Sequence, residues 1–282
     1  DQKNYYAEAK KLRGASIYLD EQSVTATENA ILAAVLAEGL TTIKNAASER
    51  HIVNLAQFLN SMGADISGAG TNTIKIYGKK NLYGTRVAVV DDENEVGTFI
   101  ALSLATKSNL RLIGHSFAEM EPILHRARKM GAILTVRKKG KKSILSIKAP
   151  RRIQPTRIQA SPWPGFPTDL HPPFAVAATQ ARGESLVHDW MFERRLFYVD
   201  ELTKMGARIV ICDPHRALIS GPTKLFGTHI ISPDIRAGMA LVIAGLTAKG
   251  KTEIENIELI ERGYYRIEER LKKIGAEIKR IE

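Results

Sequence analysis

The sequence predicts an α/β fold assembled from copies of one subunit, and three observations lead there. The first is an ending that recurs: a hydrophobic residue, Gly, Ala, any residue and a branched aliphatic. It stands at Met62-Gly63-Ala64-Asp65-Ile66, Met130-Gly131-Ala132-Ile133-Leu134, Met205-Gly206-Ala207-Arg208-Ile209 and Ile274-Gly275-Ala276-Glu277-Ile278. Its Gly-Ala pairs lie 68, 75 and 69 residues apart, a period longer than most solenoid repeats and sufficient for a small α/β subunit. The second is order within the period: an Ala- and Leu-rich helix, a β-branched strand, an amphipathic helix closing on Gly-Ala, then another strand. The third is that the Ala-rich helices are nearly apolar all round, which places them inside a domain with sheets outside them.

In the first unit the pattern predicts a helix over Thr27 to Glu38, ended by Gly39, and a strand over Thr41 to Ile43. Ile52, Leu55, Phe58 and Leu59 then recur at spacings of three and four, marking one apolar helix face that stops at Met62-Gly63. Ile66 and Ile74-Lys75-Ile76 supply further strands. The later units repeat this order with helices over 97–105 and 124–130, 174–181 and 199–205, and 237–248 and 267–274. The Gly of each Gly-Ala pair is read as a left-handed helix cap, where only Gly avoids a Cβ clash, and the Ala as room for the next strand to pack closely. A boundary is expected near Val90-Asp91, giving domains 1–90 and 91–282. The Pro-rich stretch from Pro162 to Pro167 is read as a loop within a domain.

At 282 residues, 44% hydrophobic and 25% charged, the chain has ordinary globular composition and length for two domains. No apolar run is long enough to span a membrane, and the start, Asp1-Gln2-Lys3-Asn4, has neither an initiator Met nor a signal-like core. It reads as a cut end. The single cysteine, Cys212, excludes an internal disulfide framework and fits a reducing, cytoplasmic setting; Arg208-Ile209-Val210-Ile211-Cys212 reads as a buried strand. The formal net charge of +11 invites a nucleic-acid reading, but the densest basic run, Arg137 to Lys142, is centred on Gly140 between strand-like stretches and reads as a solvated hairpin tip. Anionic small substrates are expected, not nucleic acid or membrane.

Acidic residues stand near the start of every first helix: Glu28, Asp92 with Glu95, Asp169 and Asp234. Asp is a preferred N-cap, so capping alone accounts for such positions. Helix amino ends converging on one cleft would also give it positive potential suited to phosphate or carboxylate groups. Arg195, Arg236 and Arg262 lie beside those ends. Asp169 follows Pro162-Trp163-Pro164-Gly165-Phe166-Pro167-Thr168, a stiff apolar loop that either holds a carboxylate in place as a general base or serves packing.

Ser23-Val24-Thr25-Ala26-Thr27-Glu28-Asn29, Asn45-Ala46-Ala47, Gly68-Ala69-Gly70-Thr71, Pro164-Gly165-Phe166-Pro167-Thr168-Asp169, Phe192-Glu193-Arg194-Arg195, Asp234-Ile235-Arg236-Ala237 and Arg262-Gly263-Tyr264 run in order along nearly the whole chain. Together they resemble the enolpyruvyl transferases, in particular the UDP-N-acetylglucosamine 1-carboxyvinyltransferase family. The resemblance implies two inside-out α/β barrels of three βαβαββ-type subunits each, the first incomplete here, with the active site between them. It implies transfer of an enolpyruvyl group from phosphoenolpyruvate to the 3-hydroxyl of UDP-N-acetylglucosamine, with release of phosphate and no metal or organic cofactor, in the cytoplasm; a monomer is expected, though the sequence leaves the oligomeric state open. By position, Asp169 would take the hydroxyl proton, Arg262 would contact the phosphoenolpyruvate-derived group, and Asp234 and Arg236 would lie near the reacting centre. Ser23, Val24, Thr25, Asp169, the main chain at Met191 and Arg195 would contact substrate.

The chain also departs from the family. Thr25 replaces a Gly, Leu170-His171-Pro172-Pro173 replaces Met-Gln-Ala-Gln, Glu49-Arg50-His51 replaces Glu-Pro-Glu, and Asp92-Glu93-Asn94-Glu95 replaces Asp-Arg-Ile-Glu. His51 and His171 are read as surface or loop histidines, not catalysts. The family's Lys-Asn pair and lid loop would lie before residue 1, so the polypeptide is expected to be a carboxy-terminal portion, inactive alone. Two other readings stay open: a noncatalytic UDP-sugar-binding paralogue and a shikimate-pathway enolpyruvyl transferase.

Overall fold

The computed structural model describes residues 6 and 8–281; the opening Asp1-Gln2-Lys3-Asn4 lies outside the described residues. The chain forms two compact units, one of residues 1–90 with 162–164 and one of residues 91–161 with 165–282.

The first unit is one subunit in the order β1 (Ser16–Tyr18), α1 (Val24–Ala34), β2 (Leu40–Lys44), α2 (Arg50–Ser61), β3 (Asp65–Ser67) and β4 (Thr73–Tyr77). Its sheet runs β1-β2-β4-β3, the first pair parallel and the others antiparallel. Ile43, Ile74 and Ile76 point inward to meet Ile31, Ile52 and Leu59 from the two helices. The Ser48 hydroxyl donates to the Trp163 carbonyl at 2.8 Å, so Pro162–Pro164 belongs with this unit, not with the loop's later residues.

α1 differs from its expected form. It begins at Val24, capped by the Ser23 hydroxyl that accepts from the Ala26 N–H, so Glu28 lies a turn inside and is no cap. Nor is it enclosed: Leu32 is 50% exposed, and Leu36, just past the helix end, 55%, because among the described residues of this unit only one sheet and α2 cover the helix.

The second unit contains α3 (Glu93–Thr106), β5 (Leu110–Gly114), α4 (Glu121–Lys129), β6 (Ile133–Lys139) and β7 (Lys142–Lys148). There follow β8 (Arg157–Gln159), α5 (His171–Thr179), β9 (Gly183–His188), α6 (Tyr198–Lys204), β10 (Arg208–Asp213) and β11 (Arg216–Gly221). Last come β12 (His229–Ile231), α7 (Ile235–Thr247), β13 (Glu253–Glu255), α8 (Ile257–Glu261) and α9 (Ile267–Lys273). The sheets are β5-β7-β6, β8-β9-β11-β10 and β12-β13; the four-stranded one repeats the strand order of the first unit. α3, α5 and α7 pack on one another, and every residue of α5 is buried. The apolar helices thus form the centre of this unit, and the sheets lie outside them.

All four Gly-Ala endings adopt one geometry. Gly63, Gly131, Gly206 and Gly275 have φ of 101°, 98°, 93° and 97°. In each, the Gly N–H bonds the carbonyl three residues back and the Ala N–H the carbonyl five back, for example Gly131 to Arg128 at 2.8 Å and Ala132 to Ala127 at 3.0 Å. This is the Schellman arrangement, which satisfies the last helix carbonyls. The fourth ending turns the chain in the same way, yet among the described residues no strand follows it over Ala276 to Ile281.

Cys212 also departs from expectation. It lies on β10, but β10 is the edge strand of its sheet, and Val210 and Ile211 are exposed along with Cys212. An edge strand with an uncovered outer face leaves an apolar run in solvent. The basic run does form a hairpin tip, with Gly140 at φ 62° between β6 and β7. Among the described residues no helix is long and apolar enough to cross a membrane.

Candidate active site

In the second unit the amino ends of α5 and α7 bring together Asp169, Arg195, Asp234 and Arg236. A single 3-10 turn, Thr168–Leu170, precedes α5 and carries Asp169. One oxygen of Asp169 accepts from Nη2 of Arg195 at 2.5 Å, and the other accepts from Nε of Arg236 at 2.9 Å. Each carboxylate oxygen therefore has its own guanidinium, and all three side chains are only partly exposed. Charge-assisted bonds of this kind are roughly twice as strong as neutral ones and fix the carboxylate's direction.

Arg236 is held from three sides. Its backbone N–H, with that of Ala237, donates to the Asp234 carboxylate at 2.7 Å, so Asp234 is the N-cap of α7. Its guanidinium lies over the Tyr264 ring, 5.4 Å from the centroid, and the Tyr264 hydroxyl meets Thr98 Oγ1 of α3 at 2.8 Å. The Thr98 hydroxyl donates to the Asn94 carbonyl, so the shared proton between Thr98 and Tyr264 comes from tyrosine. Burial alone would pull the Arg236 guanidinium down; Tyr264 and the carboxylates of Asp169 and Asp92 outweigh it and raise it above its ordinary value. The Arg-Gly-Tyr segment gains a physical reason here. A Cβ on Gly263 would stand 2.5 Å from Ile235 Cγ2 and 3.4 Å from Arg236 Nη1, so only Gly lets Tyr264 slide beneath the arginine.

Beneath Asp169 lies a second, fully buried layer. Asp189, at the end of β9, accepts from the Thr168 hydroxyl and from the Met191 N–H at 3.0 Å, joining the turn that carries Asp169 to the loop that carries Arg195. Met191 therefore has its N–H committed inside the protein. His171 is not a surface histidine: it is the first residue of α5, fully buried, and its Nδ1 meets the Tyr198 hydroxyl at 3.2 Å. Burial pushes it down to about 4, against the pull of Asp189, so it is neutral near pH 7. Burial likewise pushes the Tyr198 phenol up. His51 is half-buried in the first turn of α2.

Not every expected site residue joins this cluster. Arg262 caps α8 and is exposed, and its side chain has no hydrogen-bond or ion-pair partner among the described residues. Ser23, Val24 and Thr25 open α1 in the first unit; Ser23 and Val24 are half-buried and Thr25 exposed. Asp92 caps α3 by accepting from the Asn94 and Glu95 N–H groups. Sequence reasoning missed Asp189, Thr98 and Tyr198. Thr98 and Tyr198 look like ordinary helix residues, and Asp189 is a lone acid ending a strand, so none carries a local signal.

Two donors in the cluster, Nε of Arg195 and Nη1 of Arg236, are buried and have no acceptor among the described residues. Buried polar groups of this kind are few in native proteins and call for an explanation. The site thus offers a fixed carboxylate for a proton, flanked by two partly exposed guanidinium groups suited to oxygen anions. Among the described residues no group of three His, Cys, Asp or Glu side chains is placed to hold a metal ion.

The family model for EPSP synthase (3-phosphoshikimate 1-carboxyvinyltransferase) matches residues 2–271. The chain belongs to the EPSP synthase family. Within it, the chain is 48% identical to the UDP-N-acetylglucosamine 1-carboxyvinyltransferase of Treponema denticola, over 98% of this chain and 66% of the relative. It is 46% identical to that of Bradyrhizobium diazoefficiens, over 97% of this chain and 64% of the relative. The chain thus spans about two thirds of the length of the curated relatives it matches. Among solved structures, the enolpyruvyl transferase NikO from Streptomyces tendae superposes with a TM-score of 0.86 at 25% identity, covering 96% of this chain and 66% of that one. The EPSP synthase from Acinetobacter baumannii shares the fold, with a TM-score of 0.73 at 23% identity over 96% of this chain and 64% of that one. The fold of this EPSP synthase family member is accordingly that of the enolpyruvyl transferases.

Proposed function

We propose that the complete protein transfers the enolpyruvyl group of phosphoenolpyruvate to the 3-hydroxyl of UDP-N-acetylglucosamine, releasing phosphate, in peptidoglycan precursor synthesis in the cytoplasm. The observation that carries this reading is the Asp169 carboxylate, fixed at the head of α5 with one arginine on each oxygen. Relatives at 46–48% identity that bear this activity in their names support the choice of substrates.

In this reading Asp169 accepts the proton of the sugar hydroxyl as that oxygen attacks, and its two arginines aim it. Arg236 and Arg262 face the phosphate and carboxylate of phosphoenolpyruvate. An arginine suits that role because its guanidinium stays charged and offers paired donors. When the substrate's oxygens meet the exposed parts of the Arg195 and Arg236 guanidinium groups, the pull on Asp169 weakens and an oxygen lone pair is released for the hydroxyl. Asp234 acts by capping α7 and so placing Arg236. Ser23, Val24 and Thr25 are assigned to the uridine diphosphate sugar on the resemblance, with the main chain at Met191 contributing its carbonyl. No metal or organic cofactor is required by this chemistry.

The test is phosphate release from the two substrates by a chimera that adds the parts of the Treponema denticola relative lying outside the match. Turnover that needs both substrates and falls at least a hundredfold in Asp169→Asn supports the reading. Near-normal turnover in Asp169→Asn removes that residue from the reaction.

The units within the second unit map onto this proposal as three subunits of one domain over residues 91–282, with residues 1–90 as one subunit of another.

A further inference from the structure

The basic charge of the chain is not spread over it. Residues 107–157 contain fourteen lysines and arginines against two glutamates, while the other 231 residues carry twenty-seven basic and twenty-eight acidic side chains. The whole excess of positive charge thus resides in the subunit that forms the sheet β5-β7-β6.

The strand register shows which of these side chains share a surface. On β7, Ser143, Leu145 and Ile147 are buried, so Lys142, Ile144, Ser146 and Lys148 face outward. Their partners across the ladders are Arg111 and Ile113 on β5, and Ile133, Thr135, Arg137 and Lys139 on β6. This outer face presents Arg111, Arg137, Lys139, Lys142 and Lys148, all exposed, and no carboxylate. None of the five has an ion-pair partner among the described residues. Between them stand Ile113, 69% exposed, and Ile133, 61% exposed, with Ile144 half-buried. A hollow of about 450 Å³ lined by Asn109, Arg111, Thr135, Ser146 and Lys148 opens at one end of the face. The corresponding faces of the two four-stranded sheets each carry an acid, Asp65 on β3 and Glu184 on β9.

Five unpaired cations on one sheet face repel one another, so their concentration has a cost that an anionic partner would remove. The partner's type follows from what accompanies the charge. Single-stranded nucleic acid is held by aromatic stacking platforms, and this face has isoleucines and no aromatic side chain. Exposed branched aliphatics ringed by lysine and arginine suit a lipid bilayer with anionic headgroups, where the apolar side chains enter the interface and the cations meet the surface potential. We propose that the outer face of the β5-β7-β6 sheet docks the protein peripherally on anionic membrane surfaces. Docking of this kind involves no membrane-crossing element and is independent of the proposed reaction.

Co-sedimentation of the protein with phosphatidylcholine vesicles, and with vesicles of equal parts phosphatidylcholine and phosphatidylglycerol, tests this. Binding to the anionic vesicles alone, weakened by added salt, is expected. Each surface cation contributes roughly a fivefold factor, so Arg137→Glu/Lys139→Glu/Lys142→Glu should weaken binding on the order of a hundredfold or more. Ile113→Ser should weaken it several-fold without changing its salt dependence. These positions are exposed, so an unchanged melting temperature confirms that the variants fold. Absence of binding to anionic vesicles, equal binding to neutral ones, or an unaffected triple variant overturns the proposal. So does retention of duplex DNA by the wild-type protein, lost in the triple variant and untouched by Ile113→Ser, with no vesicle binding: that result assigns the face to nucleic acid.

Discussion

Lowering the pH from 7 to 4 acts on one buried base in particular. In the folded protein His171 is enclosed among Tyr198, Asp189, Arg195 and His188, and burial, the largest influence, lowers its titration from the ordinary 6.5 to about 4. In the unfolded chain it titrates near its ordinary value. Between those two values the unfolded state binds a proton that the folded state refuses, so stability falls as pH falls. Above pH 6.5 the group costs nothing; below about 4 the loss is complete. A separation of about 2.5 units at about 1.4 kcal/mol each gives a loss on the order of 3 kcal/mol. The assay is urea unfolding of the wild-type chain and of His171→Gln at a series of pH values, because glutamine keeps a polar partner for the Tyr198 hydroxyl and does not titrate. The wild type should lose about 3 kcal/mol more than the variant across the window, with the difference growing below pH 6.5. Parallel pH profiles for the two proteins would show that His171 titrates normally and that its enclosure does not control its charge.

Arg236→Lys, in the completed chimera, should cost activity by tenfold or more despite keeping the charge, because lysine supplies neither the Nε bond to Asp169 nor the planar stack on Tyr264; steady-state kinetics reads it. Thr98→Val removes the acceptor of the Tyr264 hydroxyl and leaves a buried donor unpaired, which should lower stability by about 1–3 kcal/mol in chemical denaturation. Gly275→Ala should cost about 1 kcal/mol, for its left-handed backbone alone, since a Cβ there meets nothing within 4 Å. Gly68→Ala should cost distinctly more, because the Thr73 carbonyl oxygen stands 2.2 Å from the added carbon; thermal melts of the two variants side by side give the comparison.

The helix ends were legible in the sequence because a left-handed cap is a constraint on a single residue: Gly63, Gly131, Gly206 and Gly275 each announce it locally, and each takes it. The burial of α3, α5 and α7 was legible because an apolar perimeter has nowhere to go but inside. The same composition misleads at α1, whose Leu32 is exposed, since sequence records apolarity and not how many neighbours the helix has. Cys212 misleads for a related reason: a β-branched run describes a strand, while burial depends on whether that strand is at a sheet edge. At the candidate site, Asp169 and Arg236 stood out through their short motifs, and Asp234 through its capping position. The layer that holds them did not. Asp189 acts on Thr168, twenty-one residues away, and Thr98 on Tyr264, 166 residues away. Contacts at that separation are set by the packing of α3, α5 and α7, and leave no mark in local spacing. His171 belongs to the same layer, and its polarity suggested a surface that the packing of α5 denies it.

The central claim is that Asp169, aimed by Arg195 and Arg236, takes the sugar hydroxyl's proton during enolpyruvyl transfer. The most direct measurement is phosphate release from phosphoenolpyruvate and UDP-N-acetylglucosamine by the completed chimera and its Asp169→Asn variant, alongside calorimetric binding of the nucleotide sugar to both. The account predicts turnover lost by at least a hundredfold with nucleotide-sugar binding retained. Turnover preserved in Asp169→Asn, or a chimera that binds the nucleotide sugar and releases no phosphate at all, would contradict it.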